Sequence, residues 1–142
     1  MIVADASVVA ELLLRAGGPA GRSLADRLAG REAVCAPHLV DAEVGQVLRR
    51  YALRGEISTA RATSALEDLA DLPIRRFPHT ELLPRAFALR SNVTVYDGIY
   101  LALAEALDAP LVSCDAALAQ VPGCSAAVEI LPVASRAAEP SA

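Results

Sequence analysis

Five short apolar blocks, separated by longer stretches with helical periodicity, constrain the fold of this chain more than any other feature of its sequence. The blocks are Met1–Ala4, Ala33–Ala36, Ile74–Phe77, Pro110–Ser113 and Val128–Leu131. Runs of this length suit buried strands and are too short for helices. Between them, Ser7–Arg15, Ala20–Leu28, His38–Leu53, Ser58–Leu72, Thr80–Arg90 and Asp97–Leu107 read as helices, and Asp115–Gln120 as a helical turn. Ser58 or Thr59 caps the fourth helix and Pro73 stops it; Pro84 requires the fifth to start at Leu83 or to kink. The two arginines of Ile74–Phe77 place that strand near a sheet edge. Strands alternating with helices predict a three-layer α/β/α sandwich around a central, mainly parallel sheet. Residues 1–133 form one domain, and the small polar residues 134–142 are expected to be a disordered tail.

A chain of 142 residues buries roughly 70% of the surface it exposes when unfolded. No apolar run approaches the ~18 residues that cross a bilayer, and no basic leader precedes Met1–Asp5, so no membrane and a cytoplasmic location are expected. The chain contains no lysine; all 13 basic residues are arginines. That removes phosphate loops of the Walker type, pyridoxal-phosphate and Schiff-base enzymes, and protein kinases, each of which needs a lysine amine. GxSxG and GxGxxG are also absent. Cys35, Cys114 and Cys124 lack zinc spacing and read as small packed thiols, and His38 and His79 read as helix-boundary residues. A net charge of -4 argues against a general nucleic-acid-binding surface. It leaves room for a nuclease, whose acidic metal ligands contribute negatives of their own.

The remaining chemistry rests on carboxylates. Asp5 directly follows an apolar strand, at the edge of an α/β sheet where ligands bind. It also suits an N-cap, a task for which Ser7 competes. Asp115 repeats the arrangement after Leu111-Val112-Ser113-Cys114, and parallel neighbours lie ~4.8 Å apart, so two such acids can share a cation. Glu43 falls within the apolar stripe Leu39, Val40, Val44, Val47, Leu48, Tyr51, whereas Asp41 faces elsewhere. A carboxylate there needs a metal or a partner, and an arginine is the alternative. Asp97 opens its helix with Tyr100, Leu101 and Ala104 on its face, with N-capping as the rival reading. Clustered carboxylates require a compensating charge, and oxygen-only ligands suit Mg²⁺ or Mn²⁺. Ser7 and Ser113 carry hydroxyls beside two of the acids, able to orient a carboxylate or serve in capping.

Val3-Ala4-Asp5-Ala6-Ser7, Pro37-x-x-Val40-x-x-Glu43-Val44, Val95-Tyr96-Asp97-Gly98-x-Tyr100-Leu101-Ala102-Leu103-Ala104 and Leu111-Val112-Ser113-x-Asp115 resemble, in order, the acidic motifs of PIN-domain nucleases. The resemblance runs from Met1 to about Leu131, at the length of VapC toxins. It implies an acidic quartet of Asp5, Glu43, Asp97 and Asp115. It also implies Mg²⁺- or Mn²⁺-dependent cleavage of RNA by activated water, with Asp5 and Asp97 as metal ligands and Glu43 and Asp115 binding directly or through water. Toxin action, a homodimer and a cognate VapB-like antitoxin follow from the same likeness. Ser113 stands where threonine is commoner, and Ala116-Ala117 where a further acid often stands, which leaves the number of metals open. Arg49, Arg50, Arg54, Arg85 and Arg90 are candidates for RNA contact, although a solvated helix face explains each singly. Two rivals are a PIN-like binding or assembly protein without turnover and a phosphoaspartyl phosphatase. The latter has a second aspartate where this chain has Ser7.

Overall fold

A computed structural model describes residues 1–133, so the expected tail at 134–142 lies outside the described residues. Five strands are present: β1 (Ile2–Ala4), β2 (Val34–Pro37), β3 (Ile74–Phe77), β4 (Leu111–Ser113) and β5 (Val128–Ile130). Six α-helices connect them: α1 (Ala6–Leu14), α2 (Pro19–Ala29), α3 (Leu39–Leu53), α4 (Thr59–Asp71), α5 (Leu83–Ala88) and α6 (Val95–Leu107). Short 3₁₀ turns occupy Thr80–Leu82 and Ala116–Leu118. Pro84 sits in the first turn of α5, where its missing N–H costs nothing, so the chain starts its helix at Leu83 rather than kinking a longer one.

The sheet order is β3-β2-β1-β4-β5 and every pairing is parallel. Parallel neighbours need crossovers, and crossovers are right-handed. The chain steps from β1 to β2 to β3 in one direction, then returns past β1 to β4. The reversal puts α1–α4 on one face and α5–α6 on the other. The packing agrees: α1 meets α2, α3 and α4, while α5 packs on α6. Ile2, Val3, Ala4, Val34, Cys35, Ala36, Leu111 and Val112 are buried between the layers.

Gly98 lets the α5–α6 layer close. A Cβ there would meet the Ala86 backbone at 3.0 Å, so the residue after Asp97 can only be small. The reversal of strand order falls between β1 and β4, the crevice where open α/β sheets bind ligands. Both strands end there in an acid-bearing segment, Asp5 after β1 and Ser113-Cys114-Asp115 at the end of β4. β3 lies at the sheet edge, as its arginines suggest. No helix among the described residues is long and apolar enough to cross a membrane.

Candidate active site

Asp5 is both a helix cap and the buried hub of the crevice. It is 7% exposed. Its Oδ1 accepts the backbone N–H of Ser7 at 3.1 Å and of Val8 at 3.3 Å, together with the Ser7 hydroxyl at 2.5 Å. Its Oδ2 accepts the Ser113 hydroxyl. Asp5, rather than Ser7, therefore caps α1. Ser7 bridges instead, accepting the Cys114 N–H at 2.9 Å, and Ser113 Oγ accepts the Asp115 N–H at 3.0 Å. The two serines thus lace the end of β1 to the end of β4. Burial raises the Asp5 carboxyl above its ordinary range, and the hydrogen bonds from Ser113 and Ser7 pull against that rise.

Glu43 lies one turn into α3, next to buried Val40 and Val44. No arginine pairs with it among the described residues. Asp41 shows the contrast: its two oxygens take Arg76 Nε at 3.0 and 2.8 Å, and Arg76 also reaches the carbonyls of Ile74 and Leu69. Glu43 Oε1 is buried without a hydrogen-bond partner. Burial raises its carboxyl, the nearby Tyr100 hydroxyl opposes the rise, and the charges of Asp97 and Asp5 add to it.

The structure takes from Asp97 the capping role that its place in the sequence allowed. α6 begins at Val95, two residues earlier than expected, and Thr94 is its cap, accepting the Asp97 N–H at 3.1 Å. The Asp97 carboxylate, half-buried, faces the other acids. Burial raises it first, then the charges of Asp115 and Asp5. Asp115 is exposed, and it does cap the Ala116–Leu118 turn, accepting the Ala117 N–H at 3.0 Å.

Asp5 and Asp97 thus act on Glu43, Asp5 and Asp115 act on Asp97, and Asp5, Glu43 and Asp97 are pushed toward the protonated form. Among the described residues, no three Asp, Glu, His or Cys side chains stand as a closed ligand set. Mg²⁺ asks for less, since it keeps several waters and is held through one or two carboxylates. An all-oxygen donor set with an orphaned carboxylate oxygen fits such an ion and does not fit zinc.

The other residues singled out in the sequence separate clearly. Arg49 and Arg50 on α3, and Arg54 at its C-terminal cap, are exposed, with no ion pair to any of them among the described residues. Arg85 is held by Glu105 at 3.2 Å and by the Gly123 carbonyl at 2.6 Å. Arg90 donates to the Phe87 carbonyl and stacks over its ring at 4.5 Å. His38 and His79 occupy the boundary positions expected of them. The three cysteines are free, and burial pushes the Cys114 thiol up to about 11, which leaves it inert beside the acids. A cleft of about 410 Å³ lies between α6, the Ala116–Leu118 turn and β5, and none of the four acids lines it. Two features escaped the sequence reading. Thr94-x-x-Asp97 has the spacing of a helix start, a signal that was present. The approach of Tyr100 to Glu43 joins helices on opposite layers and had no local signal.

The PIN domain family profile matches residues 2–123. The chain is 44% identical to Ribonuclease VapC12 of Mycobacterium tuberculosis over 131 residues, covering 92% of this chain and 99% of that protein. It is 42% identical to Ribonuclease VapC1 of the same organism over 130 residues, covering 91% and 96%. Among solved structures it is similar to VapBC2 from Rickettsia felis, there bound to a DNA fragment from the promoter, with a TM-score of 0.67 and 14% identity over 92% of this chain and 99% of that one.

Proposed function

The chain belongs to the PIN-domain family and is a ribonuclease of the VapC kind, and on that premise we propose that Asp5, Glu43, Asp97 and Asp115 form the divalent-metal site at which it cuts RNA internally, as the toxin of a toxin–antitoxin pair. The observation that carries this reading is the burial of Asp5, Glu43 and Asp97, with Asp5 repelling both of the others and no arginine paired with any of them among the described residues. A structural cluster would have an arginine among these acids, as Asp41 does.

The residues divide the work. Asp5, locked by Ser7 and Ser113, presents a fixed carboxylate edge, and Asp97 presents the opposing one from α6. Glu43 and Asp115 act directly or through water. Ser7 and Ser113 support the site by fixing Asp5 and the loop after β4. When bound, Mg²⁺ or Mn²⁺ supplies positive charge against the phosphodiester and acidifies water for attack. Arg49 and Arg50, on the helix that carries Glu43, and Arg54 at its end meet RNA phosphates in this reading.

The nuclease domain is residues 1–133, working in the cytoplasm where its RNA lies. A VapB-like antitoxin inhibits it by sending an arginine or lysine into the acidic crevice, since an uncompensated carboxylate cluster attracts such a side chain. Leu83 and Phe87, exposed one turn apart on α5, suit the contact of a homodimer. Incubating the chain with RNA, with and without EDTA and with Mg²⁺ restored, tests the reading. Internal cleavage that survives full chelation, or none under any condition, would sink it.

A further inference from the structure

Two oxygens beside the acids are buried and without a hydrogen-bond partner, Glu43 Oε1 and the Tyr100 hydroxyl. Tyr100 is 1% exposed, so its hydroxyl does not reach bulk solvent. Each orphan forfeits the desolvation cost of its group, and pairing the two would relieve both at once. The Tyr100 hydroxyl lies near enough to Glu43 to act on its carboxyl, against the rise that burial causes, without a formed hydrogen bond to Oε1.

No other donor serves this carboxylate among the described residues. The charged groups that act on it, Asp97 and Asp5, are acids and repel it. Asp5 is pinned by Ser7 and Ser113, whereas Glu43 hangs from α3 on a longer chain with more rotamer freedom to lose. A phenol packed in the core is a rigid support, because its ring cannot move without disturbing the layer. Tyr100 lies one turn beyond Asp97 on the same helix. The helix that presents one acid therefore carries the group that can aim another.

We propose that Tyr100 is a positioning residue, whose hydroxyl donates to Glu43 Oε1 and so turns the other oxygen of that carboxylate toward Asp5 and Asp97. This rests on the reading of Glu43 as part of the metal site. The experiment uses the full chain and three variants, Tyr100→Phe, Glu43→Met and the double variant. Phe keeps the ring and removes only the hydroxyl, and Met keeps the length of Glu without an acceptor. Mn²⁺ affinity is read by paramagnetic resonance, and urea midpoints are read in EDTA. Tyr100→Phe is expected to weaken Mn²⁺ binding by about 10-fold and to weaken it no further in the Glu43→Met background. The urea midpoint shifts of the single variants should fail to add in the double variant. Unchanged Mn²⁺ affinity in Tyr100→Phe, or additive midpoint shifts, would overturn the proposal. A parent chain that binds no Mn²⁺ would instead sink the metal reading. The midpoints would then decide the hydrogen bond alone, additive shifts against it and non-additive shifts for it.

Discussion

The Ser113 hydroxyl donates to Asp5 Oδ2 across the gap between β4 and β1, joining residues 108 positions apart in the sequence. Ser113 is wholly buried, and the same oxygen accepts the Asp115 N–H. One side chain therefore sets the spacing of two strand ends and the direction of two acids. Ser113→Ala leaves both the carboxylate oxygen and the Asp115 N–H short of a partner. A loss of about 1–3 kcal/mol in unfolding free energy is expected, with RNA cleavage falling at the same time. A variant of parental stability and activity would show that the link carries neither.

Asp5→Asn and Asp97→Asn should both abolish or greatly reduce cleavage, yet their effects on stability should differ. Asp5 holds a helix cap and two serine hydroxyls, so its amide loses acceptors that the fold uses. Asp97 leaves the capping of α6 to Thr94. Its raised carboxyl means that the folded state holds the proton more tightly than the unfolded chain. Stability from that group is present at low pH and is lost as pH rises from the ordinary aspartate value of 3.8 through the raised folded one. In EDTA, Asp97→Asn should therefore match the parent's Tm in acid and exceed it increasingly toward about pH 8. A Tm below the parent's across that range would mark Asp97 as a structural partner.

Much of the molecule was legible because its signals are local. The apolar blocks, Pro84, Ser58 and the arginines of β3 report on their own neighbourhoods, and all five strands appeared where their patterns put them. The four acids were legible for the same reason, each lying at a strand end or on an apolar helix face. The start of α6 was misplaced because Thr94 and Asp97 both make good caps, and only tertiary packing decides which carboxylate is drawn toward the crevice. The serine lacing and the approach of Tyr100 to Glu43 depend on which strands become neighbours, a matter of sheet order that no single segment contains.

The arginines should divide in the same way. Arg49 and Arg50 on α3 and Arg54 at its end are exposed, whereas Arg85 is spent on Glu105 and the Gly123 carbonyl. Each contact to a single-strand phosphate contributes about 0.7 to the slope of log affinity against log salt. Replacing the three α3 arginines by alanine is expected to flatten that slope by about 2, read by RNA binding to the catalytically silent Asp97→Asn chain. Arg85→Ala should leave the slope unchanged and lower stability by no more than about 1 kcal/mol, as an exposed pair does. A slope that responds to Arg85 and ignores the α3 arginines would place the RNA on the wrong face here.

Metal binding and proton binding should compete for the same carboxylates, which gives the metal reading a test that needs no substrate. A ligand bound only by the folded state stabilises it by about 2.7 kcal/mol when present at 100 times its Kd. Asp5, Glu43 and Asp97 are all pushed toward the protonated form by burial, and Glu43 and Asp97 also by neighbouring charges. At about pH 4 protons compete most strongly with Mg²⁺ for these raised carboxyls. Toward about pH 8 that competition weakens, and the like charges favour the ion. Mg²⁺ should therefore raise the Tm markedly at the higher pH and hardly at the lower, and the parent's rise should shrink in Asp97→Asn. Osmotic or nonspecific salt effects would not follow that proton dependence. A Tm indifferent to Mg²⁺ at both pH values would remove the physical basis for placing the ion among these acids.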